Sequence, residues 1–172
     1  MRLKIVKYDK VPETGYLEYI KEWELSGEKI VPMASERRGE SFEDLLAKWS
    51  KDETDEVYKK SFVPATLYFL IHKKKVLGAI HFRHELNESL QYNGGHIGYG
   101  IRPSERGNGY VTKMLIMLLD IVKAKGYKKI LITCDEGNTA SAKTIESANG
   151  ILYDKIELEG ETTLRHWIYL EL

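Results

Sequence analysis

The chain has 172 residues, 26 Lys+Arg against 26 Asp+Glu, 42% hydrophobic and 30% charged residues, which is ordinary globular composition. That length suits one domain over residues 1–172, burying roughly 70% of its unfolded surface. Zero net charge argues against nucleic acid or an anionic membrane as partner, and no apolar run approaches the roughly 18 residues of a membrane span. No apolar segment follows Met1-Arg-Leu-Lys4 as a secretory leader would require, and the lone Cys134 has no internal partner, so a cytoplasmic protein is expected.

Residues 3–8 alternate apolar and charged side chains and predict a half-buried strand. A helix is predicted from about Pro12 to Ser26, with Tyr16, Tyr19, Ile20 and Trp23 on one stripe and Gly27 as its stop. Packing in the core suits those aromatics better than lining an acceptor pocket. Ser41 caps a second helix with acidic residues in its first turn, while 51–60 carries no clear pattern. Residues 64–72 and 76–83 are β-rich runs joined across Lys73-Lys74-Lys75, a solvated hairpin turn. A third strand at 96–102, a helix over 108–125 ended by Gly126, a strand at 129–134 and a short helix over 138–148 follow. Two strands, 151–158 and 162–170, close the chain around Glu159-Gly160. The order predicts an α/β chain with one central, mostly antiparallel mixed sheet flanked by helices. Its only parallel crossover falls within 96–134. Edge strands of the closing hairpin offer a surface for a homodimer.

The segment Ile101-Arg-Pro-Ser-Glu-Arg-Gly-Asn-Gly-Tyr-Val111 joins a strand to a helix. Glycines at 107 and 109 allow positive φ and close approach, and the helix start offers unpaired N–H groups at a positive dipole end. That makes an anion site. A nucleoside-triphosphate loop needs Gly-x4-Gly-Lys-[Ser/Thr], which the chain lacks. A dinucleotide fingerprint needs a third glycine where Thr112 stands, and further βα units where a hairpin closes the chain. The third device is the coenzyme A pyrophosphate loop, [Gln/Arg]-x-x-Gly-x-[Gly/Ala], which Arg106-Gly-Asn-Gly109-Tyr-Val111 resembles.

On that loop, on Asn138 and Ser141 after the next strand, and on the element order, the chain resembles the GNAT N-acetyltransferases across its length. Pro64-Ala-Thr-Leu-Tyr-Phe-Leu70, Arg83-His-Glu-Leu-Asn87, the run from Gly94 to Pro103 and Arg165-His-Trp-Ile168 are similar to a subgroup of predicted acetyltransferases. The resemblance implies the GNAT acyl-CoA fold and transfer of acetyl from acetyl-CoA to an amine of a small molecule or peptide, by direct attack on the thioester. It also implies that Arg106 sits against phosphate, that Gly107, Asn108, Gly109, Tyr110, Val111 and Thr112 supply main-chain donors, that Ile101 lines the pantetheine arm, and that Asn138 bonds it beside Ser141. Two positions depart from the pattern: Val111 stands at the final small residue of the loop, and Ile145 where many members carry a tyrosine acid. A coenzyme A-binding module without chemistry is therefore the alternative.

The attacking amine needs a base. His96 and Glu85 are the first candidates, followed by His84 and Tyr99; alternation puts His81, Arg83 and Glu85 on one strand face and His84 on the other. Cys134 reads as a small buried hydrophobe rather than an acyl carrier. The histidines lack the spacing of a zinc site, so no metal is expected.

Overall fold

Pairing starts at the turn Lys73-Lys74, where Lys73 takes φ 54° and lets strand β2 (Ala65–His72) fold back on β3 (Lys75–Arg83). In this computed structural model, which describes residues 1–170, β1 (Lys4–Lys7) lies antiparallel on the other edge of β2. Helices α1 (Glu13–Ser26) and α2 (Phe42–Lys51) intervene, and Ser41 caps α2 by accepting from the Asp44 N–H at 3.1 Å. After β3 a one-turn helix, α3 (Glu88–Tyr92), is capped by Asn87. Strand β4 (Ile97–Ile101) pairs with β3, and α4 (Tyr110–Ala124), β5 (Lys129–Asp135), α5 (Thr139–Ser147), β6 (Ile151–Leu158) and β7 (Glu161–Tyr169) complete the chain. Glu159 and Gly160 both take positive φ (53° and 82°), the conformation a tight two-residue hairpin turn requires.

One sheet with a parallel crossover was the expectation. The strands instead divide into β1-β2-β3-β4 and β5-β7-β6, and every ladder between them is antiparallel. Among the described residues no ladder joins β4 to β5; the two segments are tied just before β4, where the His96 N–H donates to Leu131 O (2.8 Å), the Leu131 N–H donates to His96 Nδ1 (2.9 Å) and the Gly94 N–H donates to Thr133 Oγ1 (2.8 Å). An imidazole nitrogen has taken the place of the main-chain acceptor that a ladder would use, and pairing goes no further.

Two apolar layers hold this arrangement. On one side Met114, Leu115, Leu118 and Val122 of α4 pack with Ile145 of α5 onto Ile80, Phe82, Ile97, Ile130 and Ile132. On the other, Tyr16, Tyr19, Ile20 and Trp23 of α1 pack with Leu45 and Trp49 of α2 onto Phe69. Each such side chain stabilises the fold by roughly 1.5–3 kcal/mol, which fixes α4, and hence its N-terminus, against the sheet. The α1 aromatics are core residues, as the stripe suggested: Tyr16 donates to Ser35 O at 2.7 Å, and burial pushes both its pKa and that of Tyr19 up.

Candidate functional site

The open side of β4 is where the molecule offers chemistry. The Arg83 N–H donates to His96 O (2.7 Å) and the Arg102 N–H to Leu77 O (2.9 Å), which sets the phase of the strand. Even-numbered residues between them turn their main-chain groups to β3, so those of Ile97, Tyr99 and Ile101 face the other way, where no strand lies. A notch results. The His96–Leu131 joint closes its inner end, and the turn into α4 stands at its mouth.

That turn is fixed from α1. Glu22 accepts from the Ser104 N–H (2.9 Å), Ser104 Oγ (2.7 Å) and Arg102 Nη2 (3.0 Å). Burial works against its charge, but these donors prevail and hold the carboxyl below its usual range. Gly107 and Gly109 then take φ 82° and 74°, and a Cβ on either would meet only open space. Gly109 begins α4 with no side-chain cap, and the N–H groups of Tyr110, Val111 and Thr112 have no partner among the described residues. Three free donors at a positive helix end, behind two glycines without side chains, form an anion cradle. Val111 does not narrow it, because its side chain packs into the apolar layer beneath α4. Asn108 braces the turn by donating to Glu105 O (3.0 Å), and Ile101 is buried at the end of β4.

Arg106 stands beside the cradle but is engaged elsewhere: Nη1 donates to both Glu28 oxygens (3.0 and 3.2 Å), and the guanidinium lies 5.1 Å from the Trp23 ring centre. Asn138 caps α5 by accepting from the Ser141 N–H at 3.1 Å. The Ser141 hydroxyl bonds that of Tyr99 at 2.6 Å, joining α5 to β4 across the notch. Burial raises the pKa of Tyr99, and likewise that of Cys134, which lies against Ser141. Ile145 is fully buried and belongs to the core.

The candidate bases are not brought to the cradle. His96 is 8% exposed and its Nδ1 already accepts from Leu131; burial first, then Arg83, pushes its pKa down to about 4. It is a neutral tie between the sheets. Glu85 lies beyond the end of β3, exposed, and accepts from the Tyr58 hydroxyl. His84 bonds Thr66 Oγ1 at 2.7 Å. His81 and Arg83 lie on the α1–α2 face of the sheet, paired with Gly98 of β4 and with His96 just before it. Sequence reasoning missed the Tyr99–Ser141 bridge, the Glu22 brace and this face. The signal for the last was Gly98 and Gly100 alternating in a strand, a mark of close backbone approach. Among the described residues no group of three or more His, Cys, Asp or Glu side chains is arranged to hold a metal, and no helix is long and apolar enough to cross a membrane.

The family model of the acetyltransferase (GNAT) domain matches residues 11–150. No curated protein matches the chain in sequence. Solved structures share its fold. The ribosomal-protein-S5-alanine acetyltransferase of Vibrio fischeri is 16% identical, with 98% of this chain and 92% of that one covered at TM-score 0.62. A putative acetyltransferase of Salmonella typhimurium, solved with its cofactor acetyl-CoA, is 13% identical, with 98% and 94% covered at 0.62. Mutant forms of the spermidine/spermine N-acetyltransferase of Vibrio cholerae are 14% identical, with 98% and 95% covered at 0.63.

Proposed function

The chain belongs to the GNAT acetyltransferases, and from that premise we propose that it moves an acetyl group from acetyl-CoA to a primary amine of a small molecule or peptide, by direct attack on the thioester. One observation carries this reading: the open edge of β4 runs straight into an uncapped helix N-terminus behind two left-handed glycines. The N–H groups of Tyr110, Val111 and Thr112 hold the pyrophosphate, Gly107, Asn108 and Gly109 give it room, and Arg106 leaves Glu28 to join it. Ile101 and Asn138 flank the pantetheine arm, and Ser141 fixes the α5 side of the notch. An N–H on the open edge, from Ile97 or Tyr99, polarises the thioester carbonyl. Neighbouring folds named for acetyl-CoA, for a polyamine and for a ribosomal-protein alanine support this donor and an amine acceptor.

Freeing the lone pair of an alkylammonium at pH 7 costs about 4–5 kcal/mol, since its pKa lies some 3.4 units higher. With His96 committed to Leu131, Glu85 and then His84 remain as candidates to take that proton, through water. Tyr99 donates to the departing thiolate, the role Ile145 has no hydrogen for. Burial keeps its proton in place until then, and Ser141 orients it.

Thermal shift with acetyl-CoA, followed by a panel of amines scored for free thiol, tests the reading. A rise in Tm and thiol release with at least one amine are expected. No stabilisation at millimolar acetyl-CoA overturns it, and stabilisation without thiol release from any amine favours a coenzyme A-binding module.

A further inference from the structure

Arg83 ends β3 on the face that carries α1, α2 and their connecting loop, and the mechanism above gives it no task. It shares that face with His81 and, through the pairs His81↔Gly98 and Ala79↔Gly100, with the bare side of β4. Nη1 donates to Gly94 O (2.9 Å) and Gly95 O (3.1 Å), which fixes the plane of the guanidinium. The edge formed by Nε and Nη2 donates to no group among the described residues. Nη2 lies 3.5 Å from the point where a Cβ on Gly98 would stand, with Pro32 Cβ across at 3.8 Å. Gly98 thus leaves room for one methyl-sized group between Arg83 and Pro32, which makes a shallow recess.

The electrostatics of the recess are one-sided. Burial alone acts on the Arg83 guanidinium, lowering its pKa, with no carboxylate to offset it. His81 beside it is held neutral, pushed down to about 3 by burial and then by Arg83, His84 and Lys48. Glu85, two residues on, is turned to Tyr58. A partly buried cation without a counter-ion is an unfavourable state that an incoming anion relieves. A guanidinium edge with two parallel N–H donors and a fixed plane matches a planar, two-oxygen anion.

We propose that Arg83 binds the carboxylate of the acetyl acceptor, so that the acceptor is an amine carrying its own carboxylate, of the amino-acid type, seated over Gly98. The proposal rests on the acetyltransferase reading. The open edge at Ile97 and Tyr99 begins one residue away from Gly98, within reach of an amine a few bonds from that carboxylate. The same charges disfavour a polyamine, which would bring only cations to a guanidinium that no carboxylate offsets among the described residues.

Matched pairs test this: alanine with ethylamine, lysine with cadaverine, phenylalanine with phenethylamine. Binding in the presence of coenzyme A is followed by calorimetry, and thiol release from acetyl-CoA is measured separately. For the wild type, the carboxylate member of a pair is expected to bind about 10- to 100-fold more tightly, the range of charge-assisted hydrogen bonds. Arg83→Gln should bring the two within about threefold. Because Arg83 also holds the Gly94 and Gly95 carbonyls, Gly98→Ala is the second variant: it meets Nη2 and Pro32 at ordinary contact distances, keeps the fold, and fills the recess. It should weaken the carboxylate member several-fold. Equal or tighter binding of the decarboxylated member to the wild type, no binding of either member, or a preference that survives both variants overturns the proposal. Thiol release confined to decarboxylated amines rejects the Arg83 assignment and leaves acetyl transfer standing. Carboxylate-dependent binding with no thiol release from any amine does the reverse.

Discussion

Replacing His96 by Gln separates its role as a tie from any role as a base. The ring is 8% exposed, its Nδ1 accepts from the Leu131 N–H, and its folded-state pKa is about 4 against an ordinary 6.5. On acidification the unfolded chain therefore takes up the proton first. The stabilisation from neutral His96 is complete above pH 6.5 and drains away as pH falls toward 4. Integrating proton uptake for those two pKa values gives a loss of about 2 kcal/mol between pH 7 and pH 5. Protonation would also place a hydrogen on Nδ1, facing the Leu131 N–H, and so break the His96–Leu131 tie beside β4 and β5. Gln carries a neutral acceptor and does not titrate. Urea unfolding of wild type and His96→Gln at pH 7 and pH 5 measures the difference: wild type should lose about 2 kcal/mol more than the variant. The other histidines are present in both proteins and cancel. Equal losses would refute the assignment of His96 as a buried neutral tie.

Tyr99→Phe should lower kcat by roughly 100-fold with little change in the KM for acetyl-CoA, the signature of a lost proton donor; an unchanged kcat would remove Tyr99 from the mechanism. Gly109→Ala forces a side chain into φ 74° with no clash, so its cost is purely conformational. Chemical unfolding should show a loss of about 1 kcal/mol, and calorimetry weaker acetyl-CoA binding. Glu28→Gln frees Arg106 from an ion pair whose side chains are 45% and 48% exposed, so acetyl-CoA should bind about twofold tighter at low salt. A Cβ at Gly100 would overlap the Val31 carbonyl oxygen, whereas one at Gly98 would not overlap anything. Gly100→Ala is therefore expected to lower stability by about 1–3 kcal/mol while Gly98→Ala keeps its Tm in the same melt.

The parts of this molecule that were legible in the sequence are those set by local periodicity. The β2–β3 hairpin, the apolar stripe of α4, the glycine turn before it and the closing hairpin all follow from residues near one another in the chain. Asn138 and Ser141 were picked out by the family pattern, but the cap they form on α5 was not read from it. What was hidden depends on distant partners. Arg106 meets Glu28 from 78 positions away, and Glu22 reaches Ser104 across 82. The alternation grouped His81, Arg83 and Glu85, but a period of two does not say which layer of helices will cover a face. Nor does it mark where the strand stops: β3 ends at Arg83, so Glu85 leaves the face its spacing assigned to it. The split between β4 and β5 was hidden for a related reason. Nothing in the pattern of His96 distinguishes a side chain that replaces a rung from one that merely flanks a strand.

Five residues of β4 separate the two halves of the proposed reaction. Ile97, Tyr99 and Ile101 send their side chains into the layer beneath α4 and α5, while Gly98 and Gly100 leave the opposite face bare for the Val31–Pro32 loop and the Arg83 recess. Bulk on that second face would push the loop away and close the recess; bulk missing from the first would strip the notch of its wall. The edge between them carries main-chain groups with no strand to bond. An edge left open in this way has main-chain donors and acceptors to offer a ligand in place of a strand. A ligand that bears amides restores those bonds, as the missing strand would have done. The pantetheine arm of the proposed donor has that chemistry, and its thioester would then lie between Tyr99 on one face and the acceptor recess on the other.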